Sequence, residues 1–476
     1  MADNKVRKGF TTYLVIFLMM ILAAFLIVIV VMLFSPFKNI LGFQYMIYNV
    51  DERHYKTSAD ETIDFSNLDE ININCNSAQV LVQRFYNIDE DAIRIENYCK
   101  GFAKSSDNTD FSYEIYFADE ENKILNIDVQ EPEGFLFFNK EVSISILVPA
   151  KAAYALANTK VNITNTSGDI FIGNPAKLSE NEDETGVKTE VDVNDINIKT
   201  KTGDILFYPF VENNFGEIFI KTDSGDISTQ LDTINVNKRF ELHTDTGEFK
   251  LNNIIFNGTA DPEKANIVLD LNNSQFSADY IKGVVELNMA KGYLDLVNLE
   301  GSLNANDSIV QMKEATINIE NINGNVSLPY VNESNVNIGK MSSGSQIYVK
   351  ATSGNVNISE MSGKAYIETT SGDVNVHTYA DDLDIETTSG NIDVIYESPE
   401  IQNEVKLTSV SGDINVQVLS QLKFVIKFFD TNGEYRTSSN IAVEFQDSKF
   451  TNPLIVNNGT KPMVLTSNER IYVGII

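Results

Sequence analysis

Residues 364–396 read KAYIETTSGDVNVHTYADDLDIETTSGNIDVIY, and this stretch contains one short unit twice. In each copy an alternating apolar segment leads into Thr-Ser-Gly-Asp or Thr-Ser-Gly-Asn, and a second alternating segment follows. The two glycines, Gly372 and Gly390, are 18 residues apart (390 − 372). Because residues two apart on a strand share a face, each copy predicts two short strands that turn the same side inward.

The same turn recurs along most of the chain. Apolar residues stand seven and five positions before, and two and four positions after, each of eleven glycines, and 43 of these 44 positions are Ala, Val, Ile, Leu or Phe. The exception is Thr229. Spacings near 20 residues are typical of a solenoid, and glycine is expected where backbone angles forbid a side chain. We expect one register of turns, at Gly168, Gly203, Gly225, Gly247, Gly283, Gly301, Gly324, Gly354, Gly372, Gly390 and Gly412.

Two all-β architectures fit this spacing. One is a β-helix, or solenoid, whose coils of 18–22 residues stack in parallel, and the other is a row of β-hairpins. Identical turns at a regular spacing favour the β-helix, over residues 156–420. Residues 61–155 and 421–476 are β-rich without the regular turn, and we expect them to cap the ends, where a solenoid exposes strand edges. The polar piece 174–190 is predicted to loop out, and the piece 254–273 to add a coil.

A membrane segment is predicted near the N-terminus. Residues 10–34 carry no charge and are mostly Leu, Ile, Val, Met and Phe, which is long enough for a helix to cross a bilayer. Three basic residues lie within residues 1–9, so the positive-inside rule makes that piece a cytoplasmic tail. Residues 35–60 become a juxtamembrane linker, and the rest lies outside the cell. A cleaved signal peptide is the alternative, but its apolar region would be shorter.

The charge balance is strongly acidic, with 67 acidic and 36 basic residues and a formal net charge of −31. Phosphate binding requires a basic face, so this balance argues against nucleic acid as a partner. Plain turn chemistry and solubility are one interpretation of the acids that follow the turn glycines. The other is a calcium-binding ladder, because Ca²⁺ prefers carboxylate oxygens. The candidate ligands are Asp169, Asp204, Asp226, Asp373 and Asp413.

The chain has two cysteines, Cys75 and Cys99. A disulfide between them is possible if that part of the chain is exported, since such bonds persist outside the reducing cytosol. The spacing CxxC does not occur, which argues against a zinc or redox site built on cysteine.

No catalytic constellation is predicted. The sequences Ser35-Pro36-Phe37-Lys38, Ser106-Asp107-Asn108 and Lys201-Thr202-Gly203 match, in order, three motifs of the penicillin-binding proteins. The first nevertheless falls at the membrane boundary and the third is a repeat turn, so coincidence explains them better. The three histidines, His54, His243 and His377, show no metal-binding spacing.

The run VSISILVP at residues 142–149, followed by VNITNTSGDI at residues 161–170, resembles the bacterial putative-adhesin domain family. The resemblance extends from Thr62 to the C-terminus. It implies a right-handed β-helix behind one membrane helix, with repeated Ser-Gly-Asp-Ile turns and no catalytic residues to carry over.

These observations predict a non-catalytic, membrane-anchored extracellular module that binds a surface protein or a glycan, or that serves a structural role. A second hypothesis is an envelope-stress or signalling accessory protein, although a nine-residue cytoplasmic tail would need a partner to pass a signal. A third is an enzyme that acts on glycans, since carboxylates are abundant. No cofactor other than calcium is predicted.

Overall fold

The computed structural model describes residues 43–55, 68–76, 79–85, 93–104, 112–121, 123–130, 135–149, 159–172, 195–208, 214–259, 264–305, 312–379, 382–399, 401, 403–429, 435–437, 454–456 and 461–476, and some helical positions between residues 15 and 26. The rest of the predicted membrane segment 10–34, and the predicted loop 174–190, lie outside the described residues. Within the described part of the chain, no helix has both the length and the apolar character needed to cross a membrane.

Apart from those helical positions, the regular structure of the described residues consists of 31 β-strands. The N-terminal strands are β1 (Phe43–Tyr55), β2 (Glu70–Asn74), β3 (Gln79–Phe85), β4 (Ile93–Lys104), β5 (Ser112–Phe117), β6 (Ile124–Gln130), β7 (Phe135–Pro149), β8 (Lys160–Thr164) and β9 (Ile170–Ile172). The central strands are β10 (Asp195–Lys199), β11 (Ile205–Phe207), β12 (Asn214–Thr222), β13 (Ile227–Thr229), β14 (Thr233–Phe256), β15 (Ile267–Ala305), β16 (Met312–Lys313) and β17 (Ala315–Asn332). The C-terminal strands are β18 (Asn335–Met341), β19 (Gln346–Ser353), β20 (Val356–Met361), β21 (Lys364–Ser371), β22 (Val374–Thr378), β23 (Asp382–Thr387), β24 (Ile392–Tyr396), β25 (Val405–Ser409), β26 (Ile414–Val418), β27 (Phe424–Phe429), β28 (Tyr435–Thr437), β29 (Leu454–Val456), β30 (Pro462–Ser467) and β31 (Ile471–Ile475).

The strands on the two sides of a turn belong to two separate parallel ladders. Strand β21 pairs in parallel with β19 and β23, and β22 pairs in parallel with β20 and β24. We call the ladder that contains β21 ladder A and the ladder that contains β22 ladder B. Each strand therefore bonds to the neighbouring coils and not across its own turn. The parallel β-helix-type arrangement is confirmed, and the row of hairpins is wrong.

Every coil turns at two corners. Corner 1 joins a ladder-A strand to the ladder-B strand that follows it, as at Gly372. Corner 2 joins a ladder-B strand to the ladder-A strand of the next coil, as at Gly363. Between residues 161 and 419 the successive coils place the following residues at corner 1: Gly168, Gly203, Gly225, Gly247, Ser274, Gly292, Ala315, Ser334, Gly354, Gly372, Gly390 and Gly412.

The expectation of one glycine register is wrong, because eight of the eleven glycines lie at corner 1 and three lie at corner 2. Gly301 stacks on the carbonyl of Gly283 and pairs in register with Gly324, and this column continues to Gly363 through Ser345. Gly363 and Gly372 are nine residues apart (372 − 363). Each half of an 18-residue coil thus has the same strand-plus-turn pattern, so the apolar offsets around both corners look alike in sequence.

One continuous core lies between the two ladders. The inward side chains of β21 and β22 are buried in strict alternation, and Ile367 and Val374 have no exposed surface. Burying an aliphatic side chain of this size contributes about 1.5–3 kcal/mol relative to leaving it exposed. The predicted extra coil is confirmed, since Ile267 pairs with Phe240 and its strand continues ladder A.

At both ends of the stack, the order of the coils differs from their order along the chain. Strand β2 lies between β6 and β8 in ladder A, and β3 lies between β7 and β9 in ladder B. At the other end, β30 lies between β25 and β27, and β31 lies between β26 and β28. Antiparallel partners are added at these ends: β4 pairs with β7, β5 with β6, and β29 with β27.

Candidate functional site

Corner 1 carries a ladder of side chains that bond from one coil to the next. The carboxylate Oδ1 of Asp204 accepts a hydrogen bond from the backbone N–H of Asp226 at 2.9 Å, and Oδ1 of Asp373 accepts one from the N–H of Asn391 at 2.9 Å. The amide oxygen of Asn391 continues the series to the N–H of Asp413 at 3.0 Å. Each side chain therefore satisfies a backbone donor of the neighbouring coil.

The five predicted calcium ligands all belong to this corner-1 ladder. Asp169, Asp204 and Asp226 form one run. Each accepts a hydrogen bond from the backbone N–H of the equivalent residue in the next coil, at 2.8–3.1 Å. Asp373 and Asp413 belong to a second run, in which asparagines alternate with them. Over the described residues, no group of three or more His, Cys, Asp or Glu side chains is arranged to hold a metal ion. These carboxylates therefore serve as acceptors for hydrogen bonds between coils.

Some corner-1 glycines have no left-handed φ angle, and close packing between coils explains why glycine stands there. A Cβ built on Gly390 would lie 2.7 Å from the carbonyl carbon of Gly372, and nearer still to its oxygen. Gly412 meets Gly390 in the same way. Neither glycine has a positive φ in the left-handed range, whereas Gly354 does, at 119°. The expected reason, a forbidden backbone angle, therefore holds at only some of these turns. The Lys201-Thr202-Gly203 motif is such a corner, with the Gly203 N–H donating to Oγ1 of Thr200 at 3.2 Å.

The two cysteines lie in the N-terminal strands. Cys75 follows β2 directly and is buried, with its Sγ 3.8 Å from the carbonyl oxygen of Thr164. Cys99 lies in β4, opposite Tyr48 of β1 and Val142 of β7, and its side chain is outside the described part of the structure. The disulfide between them stays a prediction.

His243 is not an isolated polar residue. Its imidazole lies 3.1 Å from a carboxylate oxygen of Glu241 and 3.1 Å from one of Asp270, and its ring packs 5.2 Å from that of Phe219. Arg239 pairs with the same Glu241 at 2.5 Å. His243 thus makes a structural contact between two carboxylates on the outer face of ladder A.

A groove crosses the outer face of ladder A in the C-terminal half of the stack. It encloses about 550 Å³ and extends over β17, β19, β21, β23 and β25. Two outward positions on each strand line it, and the parallel register places equivalent positions side by side. The first position is Asn325, Gln346, Lys364, Asp382 and Glu404 on successive strands, and the second is Ser327, Tyr348, Tyr366, Asp384 and Lys406.

Two tyrosines form the apolar centre of this groove. The rings of Tyr348 and Tyr366 are stacked, with centroids 5.3 Å apart and planes within 7° of parallel. Burial raises the pKa of the Tyr366 hydroxyl, and the negative charges of Glu368, Asp384 and Glu386 raise it further. The hydroxyl thus stays protonated and available as a hydrogen-bond donor, next to a surface that is locally negative.

The charges in the groove are largely compensated from strand to strand. Lys364 contacts Asp382 on the next strand at 2.5 Å, and Lys406 lies 3.5 Å from Asp384. Three acids and two lysines line the groove, which leaves one net negative charge when Glu404 is included. Exposed pairs of this kind contribute little to stability, but they hold long side chains at the rim in fixed positions.

These groove residues are not among the candidate sites predicted from the sequence. A single register of turn glycines that includes Gly324 would place Asn325, the next residue, in one column with the acids of corner 1, but Asn325 lies at corner 2 and lines the groove. The available signal was the 18-residue spacing of Tyr348 and Tyr366 (366 − 348), each between two inward residues of its strand. That spacing places two outward-facing aromatic rings on adjacent strands.

Comparisons with known proteins identify a family without assigning a function. A family profile described as Toastrack DUF4097 matches residues 68–302 and, in a second match, residues 277–462. No curated protein matches the chain. Among solved structures, a "putative cell adhesion protein" from Clostridium sporogenes is similar at 8% identity, covering 91% of this chain and 100% of its own, with a TM-score of 0.18. A TM-score this low does not establish a common arrangement of strands, so this likeness has no bearing on function.

Proposed function

We propose that this chain, which belongs to the Toastrack DUF4097 family, is a surface-binding module, because its own parallel strands give it one long regular face. Its binding surface is the ladder-A groove, and it catalyses no reaction. Residues 10–34 anchor it in the cell membrane, with residues 1–9 in the cytoplasm and the stack of coils outside. The partner is a component of another surface, either a glycan or a protein.

The observation that carries this proposal is the pair of stacked tyrosines in a polar groove. Aromatic rings combine a large contact area with a polar tip, which is why they are common in binding sites. Tyr366 has 37% of its surface exposed. Burial of apolar surface is favourable, so a ligand that covers the ring would gain binding free energy. A groove with a few polar groups around an aromatic centre is the usual form of a ligand site.

The charge pattern of the groove supports binding more than catalysis. Its two lysines face aspartates, Lys364 at 2.5 Å from Asp382 and Lys406 at 3.5 Å from Asp384. General acid–base chemistry requires a group that is free to accept or release a proton at the reacting atom. Here four of the five charged groups are paired with each other, at the sides of an open groove.

Binding arrays test the proposal. The full chain, purified in detergent, is applied to arrays of glycans and envelope components, with and without calcium. The variants Tyr366→Ala and Tyr293→Ala are compared, since Tyr293 is 50% exposed and lies at corner 1, outside the groove. We expect a calcium-independent signal that Tyr366→Ala removes and Tyr293→Ala retains.

Other outcomes point elsewhere. A signal that appears only with calcium would move the site to the corner-1 acids, and loss of the glycan through cleavage would indicate an enzyme. If every array is silent, the surface-binding proposal fails, and the signalling accessory becomes the better hypothesis.

A further inference from the structure

We propose that the ladder-A groove binds an extended, uncharged oligosaccharide that lies along the stack and crosses the strands. This inference rests on the proposed surface-binding function, and it narrows the ligand from any surface component to one chemical class in one orientation.

The backbone of the groove cannot recruit a peptide by strand addition. Strand β19 is paired on both sides, with β17 and β21, and β23 is paired with β21 and β25. Peptides that add a strand need an unpaired edge, where main-chain bonds supply the affinity. The groove lies in the middle of ladder A, so side chains alone must recognise the ligand.

An amphipathic helix does not fit the lining either, because such a helix needs a continuous apolar groove. The aliphatic residues beneath the groove are part of the core, and Val326, Ile347 and Leu383 have at most 2% of their surface exposed. What remains at the surface is a mixture of amides, hydroxyls and compensated charges around two rings.

The polar groups suit a ligand with many hydroxyls. Asn325 and Gln346 each offer both a donor and an acceptor, and a tyrosine hydroxyl does the same. Asp382 and Glu404 offer acceptors on the following strands. A sugar hydroxyl is itself both donor and acceptor, so a chain of sugar units can form hydrogen bonds with both the donors and the acceptors of the groove. The net negative charge of the groove disfavours sugars that carry carboxylates or phosphates.

The tyrosines provide a platform with two ends. Ser327 precedes Tyr348 in the register, and Asp384 follows Tyr366. Because both neighbours are smaller than tyrosine, the outer face of each ring borders a step in the surface. The apolar C–H face of a sugar ring can pack in such a step against the face of an aromatic ring, while its hydroxyls reach the polar residues beside it.

The length of the groove predicts an extended ligand. Five strands line it, and strands in a sheet are spaced about 4.8 Å apart. The four intervals together measure about 19 Å, which is longer than a single sugar ring. Affinity should therefore increase with the number of sugar units until the groove is filled.

Calorimetric titration of the full chain in detergent tests this inference. The probes are the neutral hexasaccharides of cellulose, acetylated chitin and maltose, the matching disaccharides, an anionic oligogalacturonate and a hexa-arginine peptide. We expect at least one neutral hexasaccharide to bind about tenfold more tightly than its disaccharide, a ratio that corresponds to about 1.4 kcal/mol. The charged probes should bind more weakly than that hexasaccharide.

Variants connect the binding to the groove. Tyr348→Ala and Tyr366→Ala should each weaken hexasaccharide binding about tenfold or more, whereas Tyr366→Phe, which keeps the ring, should stay within about threefold, or about 0.65 kcal/mol. Tyr293→Ala serves as the matched exposed control, and the urea midpoint of each variant shows whether it is folded.

The outcomes separate this inference from the proposed function. Binding of a peptide or a charged glycan that depends on Tyr366 would overturn the neutral-saccharide inference and leave the surface-binding function standing. Equal affinity for disaccharide and hexasaccharide would overturn the extended orientation. The absence of any ligand that depends on Tyr366 would overturn both.

Discussion

Replacing Gly390 by alanine tests whether close packing between coils is what requires glycine at corner 1. The new Cβ would lie 2.7 Å from the carbonyl carbon of Gly372 and 2.9 Å from Oγ1 of Thr387, whereas real Cβ atoms are not found within 3.0 Å of such atoms. The obstacle is backbone, so the two coils must separate locally. Separation would stretch the bonds between the coils from Ser389 N–H to the Thr370 carbonyl and from Asn391 N–H to Asp373 Oδ1, both now 2.9 Å.

The cost follows from those interactions. Each hydrogen bond contributes about 1 kcal/mol net, and overpacking a tight site costs about 1–3 kcal/mol. We therefore expect Gly390→Ala to lower the free energy of unfolding by about 3 kcal/mol. The matched control is Gly344→Ala, because Gly344 has open space around its Cβ position but a φ of 89°. Its cost is the left-handed backbone alone, about 1–2 kcal/mol.

Urea unfolding gives the free energy of unfolding of both variants. It is followed by far-ultraviolet circular dichroism, because the chain has no tryptophan whose fluorescence could report unfolding. Hydrogen exchange should show faster opening of β22, β24 and β26 in Gly390→Ala. If Gly390→Ala costs no more than Gly344→Ala, the packing argument for glycine at corner 1 is refuted.

Three further predictions concern single side chains. Asp373→Ala should cost about 1–2 kcal/mol because the N–H of Asn391 loses its acceptor, whereas Asp373→Asn should be nearly neutral; equal costs in urea unfolding would contradict the ladder. Glu333→Gly should stabilise the protein by about 1 kcal/mol, since Glu333 has a φ of 49°, and a lower melting temperature would disprove this. Burial, and next the hydrogen bond to Glu300, raise the pKa of Tyr280 from 10.0 to about 12, so its stabilisation is complete below pH 10 and is lost as the pH rises towards 12. The difference in unfolding free energy between the wild type and Tyr280→Phe should therefore shrink over that range, and a constant difference would contradict the shift.

The inward positions could be predicted from the sequence because alternation is a local property. Ile367, Val374 and Ile385 were placed inside by their offsets from a glycine, and each has no exposed surface. Strand periodicity alone decides which side of the strand a residue faces. The parallel stacking followed from the recurrence of one turn at spacings near 20 residues.

The assignment of turns to corners could not be predicted in the same way. Gly301 and Gly372 have equivalent apolar neighbours, yet one lies at corner 2 and the other at corner 1. Only the pairing of whole coils distinguishes them, because insertions change the length of one half-coil without altering the local pattern. The groove depends on that pairing too, since its residues become neighbours only through the register of five strands.

The end coils show a further limit of sequence reasoning, and they bear on what the stack does. Chain order would place the 70–85 coil outermost, but it lies between the coils of β6–β7 and β8–β9. The 70–85 coil is thus bonded on both faces, and antiparallel strands pair with β6, β7 and β27 at the ends of the parallel ladders, which limits the exposed edge available for unwanted pairing.

A stack closed in this way can act as a rigid spacer. Ladder A runs from β6 through β2, β8, β10, β12 and β14 and three successive passes of β15 before it reaches β17, where the groove begins. At about 4.8 Å for each step, the centre of the groove lies on the order of 50 Å from the N-terminal end of the stack. If residues 10–34 anchor that end, as proposed, the coils hold the groove several Debye lengths from the membrane surface. The position of the groove near the opposite end is what a module that contacts another surface requires, and the regular repeat supplies that reach without a flexible linker.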